Sequence, residues 1–208
     1  MNEDVWALVH AERAALIEDL AHLDDKQWEQ PSLCDGWTVH DVAAHLVNTA
    51  RTTRLGFVGG MIRARFDFDR QNARGVERER GSSPKETLER LRQAASRKTG
   101  PPAPLDTRIV EEVIHGEDIR RPLGIGRSYP IAAVVRSLRL QARTSASMGG
   151  AKERVAGIQL APTDADLTIG EGSQARGTAI CLLLAISGRP GVLEELDGPG
   201  VAALRTSA

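Results

Sequence analysis

Cysteine is scarce in this chain. Only Cys34 and Cys181 occur, far apart and without a Cys-x-x-Cys spacing. Two lone thiols suit a reducing cytoplasm better than a disulfide framework. An excess of charge of one sign is also missing. Lys and Arg total 27 against 28 Asp and Glu, a formal net charge of −1 and a pI near 6.5. No basic field is available to hold a phosphate backbone, so nucleic acid is not an expected partner. The arginines between residues 74 and 80 alternate with glutamates, the pattern of a solvated face. Long apolar runs are absent too. The longest, residues 179–186, is far below the roughly 20 residues that span a bilayer. The opening Met-Asn-Glu-Asp has neither the basic start nor the apolar stretch of a secretory signal. These absences predict a cytoplasmic protein with neither nucleic acid nor membrane as a partner.

What is present is an ordinary globular composition, 41% hydrophobic and 26% charged over 208 residues, a length comfortable for two domains. Residues 1–148 read as helices. Val5, Leu8, Val9, Glu12, Ala15, Leu16, Leu20 and Leu23 form a mostly apolar stripe at helical spacing after a cap at Asn2 or Asp4. Thr38-Val39-His40-Asp41 has the form of a capping box, with Trp37 and Val42 placed for a hydrophobic staple. Gly75 and Gly81 in charged surroundings predict a loop. A third helix starts at Ser83-Pro84-Lys85-Glu86 and stops at Gly100-Pro101-Pro102. A fourth covers about 106–120, and a fifth opens at Pro130 and ends at Gly149-Gly150.

The rest changes character. Residues 155–160 and 166–169 are β-compatible, Gly170, Gly172 and Gly177 surround a turn, and 178–187 has helix length. The chain therefore reads as α+β: a helical bundle over 1–148, then a small α/β domain over 152–208.

Five histidines are candidates for chemistry: His10, His22, His40, His45 and His115. Glu111 and His115 lie four apart on a predicted helix and project from one face, so a carboxylate and an imidazole can reach one metal ion. Asp118, three residues on, is placed to orient His115. Spacing leaves a second reading open. Ile109, Val110, Val113 and Ile114 face the opposite way, and a polar stripe opposite an apolar one also describes a solvated helix face. His45, at the edge of its own helix's apolar stripe, fits a half-buried structural histidine equally well.

Two segments carry a family resemblance. Residues 33–46, Leu-Cys-Asp-Gly-Trp-Thr-Val-His-Asp-Val-Ala-Ala-His-Leu, resemble the opening signature of the mycothiol-dependent maleylpyruvate isomerase family, DinB-like metal-binding four-helix bundles with a small C-terminal α/β domain. Residues 111–119, Glu-Glu-Val-Ile-His-Gly-Glu-Asp-Ile, resemble its second signature. In the tail, 164–167, 177–179, 187–190 and 196–201 resemble the family's C-terminal domain in the right order. The resemblance implies metal ligands at His45, Glu111 and His115, with Glu111 rather than Glu112 selected by the spacing. It also implies a functional arginine in the tail, best matched by Arg189 in its Gly-Arg-Pro turn, where a plain surface arginine is the alternative. A further arginine in the bundle cannot be chosen among Arg70, Arg74, Arg78 and Arg80. Cys34, four residues before the cap, reads as a packed loop cysteine.

Two imidazoles and one carboxylate leave a tetrahedral Zn²⁺ with one open position. The same set also holds Fe(II). Zn²⁺ is favoured because the implied chemistry is activation of a thiol, mycothiol in this family. The expected activity is a thiol transfer or a cis-trans isomerisation of a small electrophile. The competing readings are a non-catalytic metal-binding or regulatory protein, and a helical interaction module that holds no metal.

Overall fold

The structure is a computed structural model and describes residues 2–206. Contacts divide the chain into two units, Met1–Arg127 and Ser128–Ala208. The fold is α+β, as expected, but the division falls ahead of the fifth predicted helix rather than behind it.

The first unit contains seven helices among the described residues: α1 (Asn2–Ala21), α2 (Asp25–Trp28), α3 (Val39–Arg51), α4 (Arg54–Arg63), α5 (Phe68–Glu79), α6 (Pro84–Ala94) and α7 (Thr107–Arg120). Helices α1, α7, α3 and α6 pack in that cyclic order and form a four-helix bundle. Its core joins Leu16 and Leu20 of α1, Val39, Val42, Leu46 and Val47 of α3, Leu88 and Leu91 of α6, and Ile119 of α7. Burying each such side chain contributes about 1.5–3 kcal/mol. Asp4 lies inside α1 and is not its cap; the side chain of Asn2 lies outside the described residues.

The start of α3 is specified locally. The Thr38 side chain accepts from the Asp41 amide, and the Asp41 carboxylate accepts from the Thr38 amide and hydroxyl. Trp37 packs on the core that includes Val42. Arg80 donates to the same Asp41 carboxylate and to Glu29. That pairing assigns Arg80 to holding the helix start.

The loop predicted around Gly75 is helix α5, which packs on α3. A Cβ at Gly75 would lie 2.5 Å from Asn48 Nδ2 and 2.7 Å from Asn48 Cγ. The glycine is there for close helix approach, not to break the helix, and this is why local sequence misread it. Helix α4 was likewise unforeseen. It has three glycines and no buried residue, so it carries neither a propensity signal nor an apolar stripe.

The second unit holds α8 (Ile131–Arg143), α9 (Ala179–Ile186), α10 (Gly200–Thr206) and a two-stranded sheet. Helix α8, predicted as part of the bundle, packs its buried face on α9. Periodicity shows that a helix has an apolar face but does not name the partner. Strands β1 (Ile158–Pro162) and β2 (Ser173–Gly177) pair in parallel, Ile158 opposite Ser173 and Pro162 opposite Gly177. The strand expected at 166–169 is reduced to one bridge, Leu160 with Ile169, and Gly177 ends a strand rather than flanking a turn. In β2 only Ala175 and Gly177 are buried, so this exposed edge lacks the apolar alternation that marks a strand.

Candidate metal centre

The bundle brings one face of α7 against one face of α3. The backbone between the two signatures is tied directly: the Leu33 amide donates to the Asp118 carbonyl at 3.1 Å. His45 from α3 and Glu111 and His115 from α7 then converge. One donor atom of each lies within 4.8 Å of the others. His45 Nε2 is 3.1 Å from Glu111 Oε2, and His115 Nε2 is 3.5 Å from the same oxygen. The two imidazole rings stand nearly perpendicular with centroids 4.7 Å apart, and Trp37 covers His45 at 5.2 Å.

The polar stripe on α7 is not solvated. Side-chain exposure is 5% for His45, 24% for Glu111, 15% for His115 and 0% for Asp118. The buried Asp118 carboxylate lies 2.8 Å from His115 Nδ1. That contact fixes the ring and turns Nε2 toward Glu111, the carboxylate–histidine arrangement typical of metal ligands. Adjacent Glu112 points elsewhere, accepting from Arg13 Nε at 2.7 Å inside the bundle.

The electrostatics favour positive charge at this point. Burial alone would lower the pKa of His115, but the Asp118 and Glu111 carboxylates outweigh it and raise it to about 9. Burial and the neighbouring imidazole keep His45 below the ordinary histidine value despite Glu111. Burial would raise Glu111, yet His115 and His45 hold it well below the ordinary carboxylate range. In the protein alone, the proton on His115 supplies the cationic charge that two carboxylates call for.

The donor set fits a divalent metal. Ligands about 2.0–2.2 Å from a tetrahedral Zn²⁺ stand about 3.4 Å from one another. The 3.1 and 3.5 Å separations around Glu111 Oε2 bracket that value. His45 Nδ1 is buried without a hydrogen-bond partner among the described residues, and Nε2 of that ring is turned toward the cluster.

Arg108 was not foreseen. It is 5% exposed, and its Nη2 lies 3.9 Å from Glu111 Oε1. The available signal was an arginine three residues before the predicted ligand, in the first turn of a helix, where the macrodipole disfavours a cation unless an anion is near. Arg189 lies in the second unit, where its guanidinium donates to the Ser187 carbonyl. Of the bundle arginines, Arg78 donates to Asn48 Oδ1 at 2.6 Å, one helical turn beyond His45, and Arg74 donates to the Arg63 carbonyl at 2.9 Å.

Residues 9–108 match the family model described as the mycothiol maleylpyruvate isomerase N-terminal domain. Two solved structures are similar over nearly the whole chain: the mycothiol-dependent maleylpyruvate isomerase, with a TM-score of 0.66, and a histidine-to-alanine mutant of it, with a TM-score of 0.68. Each is 15% identical and covers 96% of this chain and 93% of its own. A comparison with curated protein sequences gives no match. No helix among the described residues is long and apolar enough to cross a membrane. Residues 9–108, within the helical unit, are thus similar to the mycothiol maleylpyruvate isomerase N-terminal domain.

Proposed function

We propose that the protein binds one divalent metal, Zn²⁺, through His45, Glu111 and His115 and uses it in mycothiol-dependent chemistry on a small electrophile. The observation that carries this reading is the convergence of a buried His45 with the half-buried Glu111 and His115, from two helices, around Glu111 Oε2. When bound, the metal would supply a Lewis-acidic centre that lowers the pKa of a thiol.

The chain's own residues do the rest. Asp118 holds the His115 ring so that Nε2 points into the site. Trp37 and the bundle walls keep water from the His45 side. Arg189 is proposed to pair with a carboxylate of the electrophile, in keeping with the family resemblance of its turn. Both outcomes of thiol addition, retention of the adduct and release of a cis-trans isomer, use these residues. Two cysteines far apart in the sequence, Cys34 and Cys181, suit a reducing cytoplasm as the place of action.

The test is to add mycothiol and a panel of activated alkenes to metal-loaded and chelator-stripped protein. Adduct or isomer formation in the loaded sample alone is expected. Metal binding without either product would instead favour the second reading, a non-catalytic metal-binding protein of the same fold.

A further inference from the structure

A separate cavity of about 350 Å³ opens within the helical unit, at the N-terminal ends of α4 and α7. Its lining includes Arg54, Lys98 and Arg108, and among the described residues no carboxylate lines it. Arg54 is the first residue of α4, and Arg108 is the second residue of α7. Neither helix has an acidic residue in its first turn, and Asp106, the N-cap of α7, makes no side-chain hydrogen bond to the helix start. Amide N–H groups and the positive end of the macrodipole thus coincide with guanidinium groups at both helix starts. Such an arrangement is self-repulsive unless an anion joins it.

Arg108 makes the case sharper. It is 95% buried, since only 5% of it is exposed, and its contacts are long. Nη1 to the Thr49 carbonyl is 3.4 Å, Nε to Thr107 Oγ1 is 3.5 Å, and Nη2 to Glu111 Oε1 is 3.9 Å. A buried guanidinium whose paired carboxylate stands 3.9 Å away is only loosely compensated, and Glu111 is already engaged by two imidazoles. Gly100 keeps the floor open beside it: a Cβ there would lie 3.2 Å from Arg108 Cδ. Arg54 and Lys98 are exposed, with no ion pair among the described residues. The Trp6 ring forms part of the wall and leaves apolar surface for an organic body.

We infer that this cavity is a binding site for the oxyanion group of a small molecule, with Arg108 at its base and Arg54 and Lys98 at its mouth. The ligand class is a phosphate ester or a carboxylate. Arg108 supplies a fixed, partly desolvated donor fork of the kind that recognises such groups, and the helix starts add amide donors. The site does not require the metal reading, because none of its three cations is a proposed metal ligand.

The experiment is isothermal titration of metal-free full-length protein with inorganic phosphate and, separately, with acetate at low ionic strength. Saturable one-site binding of either anion is expected, phosphate alone marking a phosphoryl site and both marking a general oxyanion site. The Arg54→Ala/Lys98→Ala double variant changes only exposed side chains and should bind about tenfold more weakly. Arg108→Gln should bind more weakly still, with its fold checked by circular dichroism. His45→Ala should bind the anion like the parent, which separates this site from the metal proposal. No saturable binding of either anion, or a double variant that binds as tightly as the parent, would overturn the inference.

Discussion

The two units bury different things. In the second unit α9 is apolar all round, with Leu182, Leu183, Leu184 and Ile186 inaccessible, and among the described residues the unit's buried polar side chains are Ser137 and Gln141 of α8. The helical unit instead buries Arg13, Glu12, Glu112, Glu117, Asp118, Arg120 and Arg108 together with His40 and His45. Taking a charge out of water costs several kcal/mol unless a partner of good geometry compensates. The second unit is therefore held by non-directional burial. The first is held by directional pairs, and directional pairs can fix the aim of a ligand. Arg13 with Glu112 and Arg120 with Asp19 hold α7 to α1, so the opposite face of α7 presents Glu111 and His115 to α3 in one register.

This contrast can be broken at its strongest point. Glu112→Ala strips the carboxylate from a buried guanidinium and should cost about 3–5 kcal/mol in urea unfolding. Leu182→Ala in the second unit leaves a cavity and should cost about 2–5 kcal/mol. The two should differ in salt and pH response, since only the first loss is electrostatic. A smaller effect is expected for Asp118→Asn, which keeps the shape of the His115 contact but removes its charge. Metal affinity should fall by about 10–100-fold, read by competition with a chromophoric chelator.

The pH dependence sharpens the same point. The pKa of His115 in the folded protein, about 9, lies above its ordinary 6.5. The stability it contributes is complete below pH 6.5 and is lost as pH rises through 9. His45 is depressed, so its contribution is present above 6.5 and is lost as pH falls through its folded value. Metal-free protein should thus lose thermal stability on both sides of neutrality. Zn²⁺ should flatten the alkaline limb, because the metal takes the place of the His115 proton. The smallest expected effect is at the α3 start, where Thr38→Ala should cost about 1 kcal/mol.

Local rules explain what was legible in the chain. The capping box at Thr38 and Asp41 and the Glu111–His115–Asp118 face depend on neighbours three and four residues away, and the structure reproduces both. What was lost depended on partners distant in sequence. Gly75 reads as a breaker until Asn48 is seen pressed against it. The apolar face of Ile131–Arg143 fits a bundle equally well until α9 is found beneath it. Ser173–Gly177 becomes a strand only through its pairing with Ile158–Pro162. Arg108 belongs to the same class, since its place beside Glu111 needed the burial of α7 as well as the spacing.

The central claim, three side chains sharing one ion, is tested most directly by elemental analysis of the purified protein and of His45→Ala after dialysis against limiting Zn²⁺. The account predicts one equivalent of metal in the parent and a large loss in the variant, with both proteins folded. Equal retention of metal by the variant, or a parent that takes up none, would contradict it.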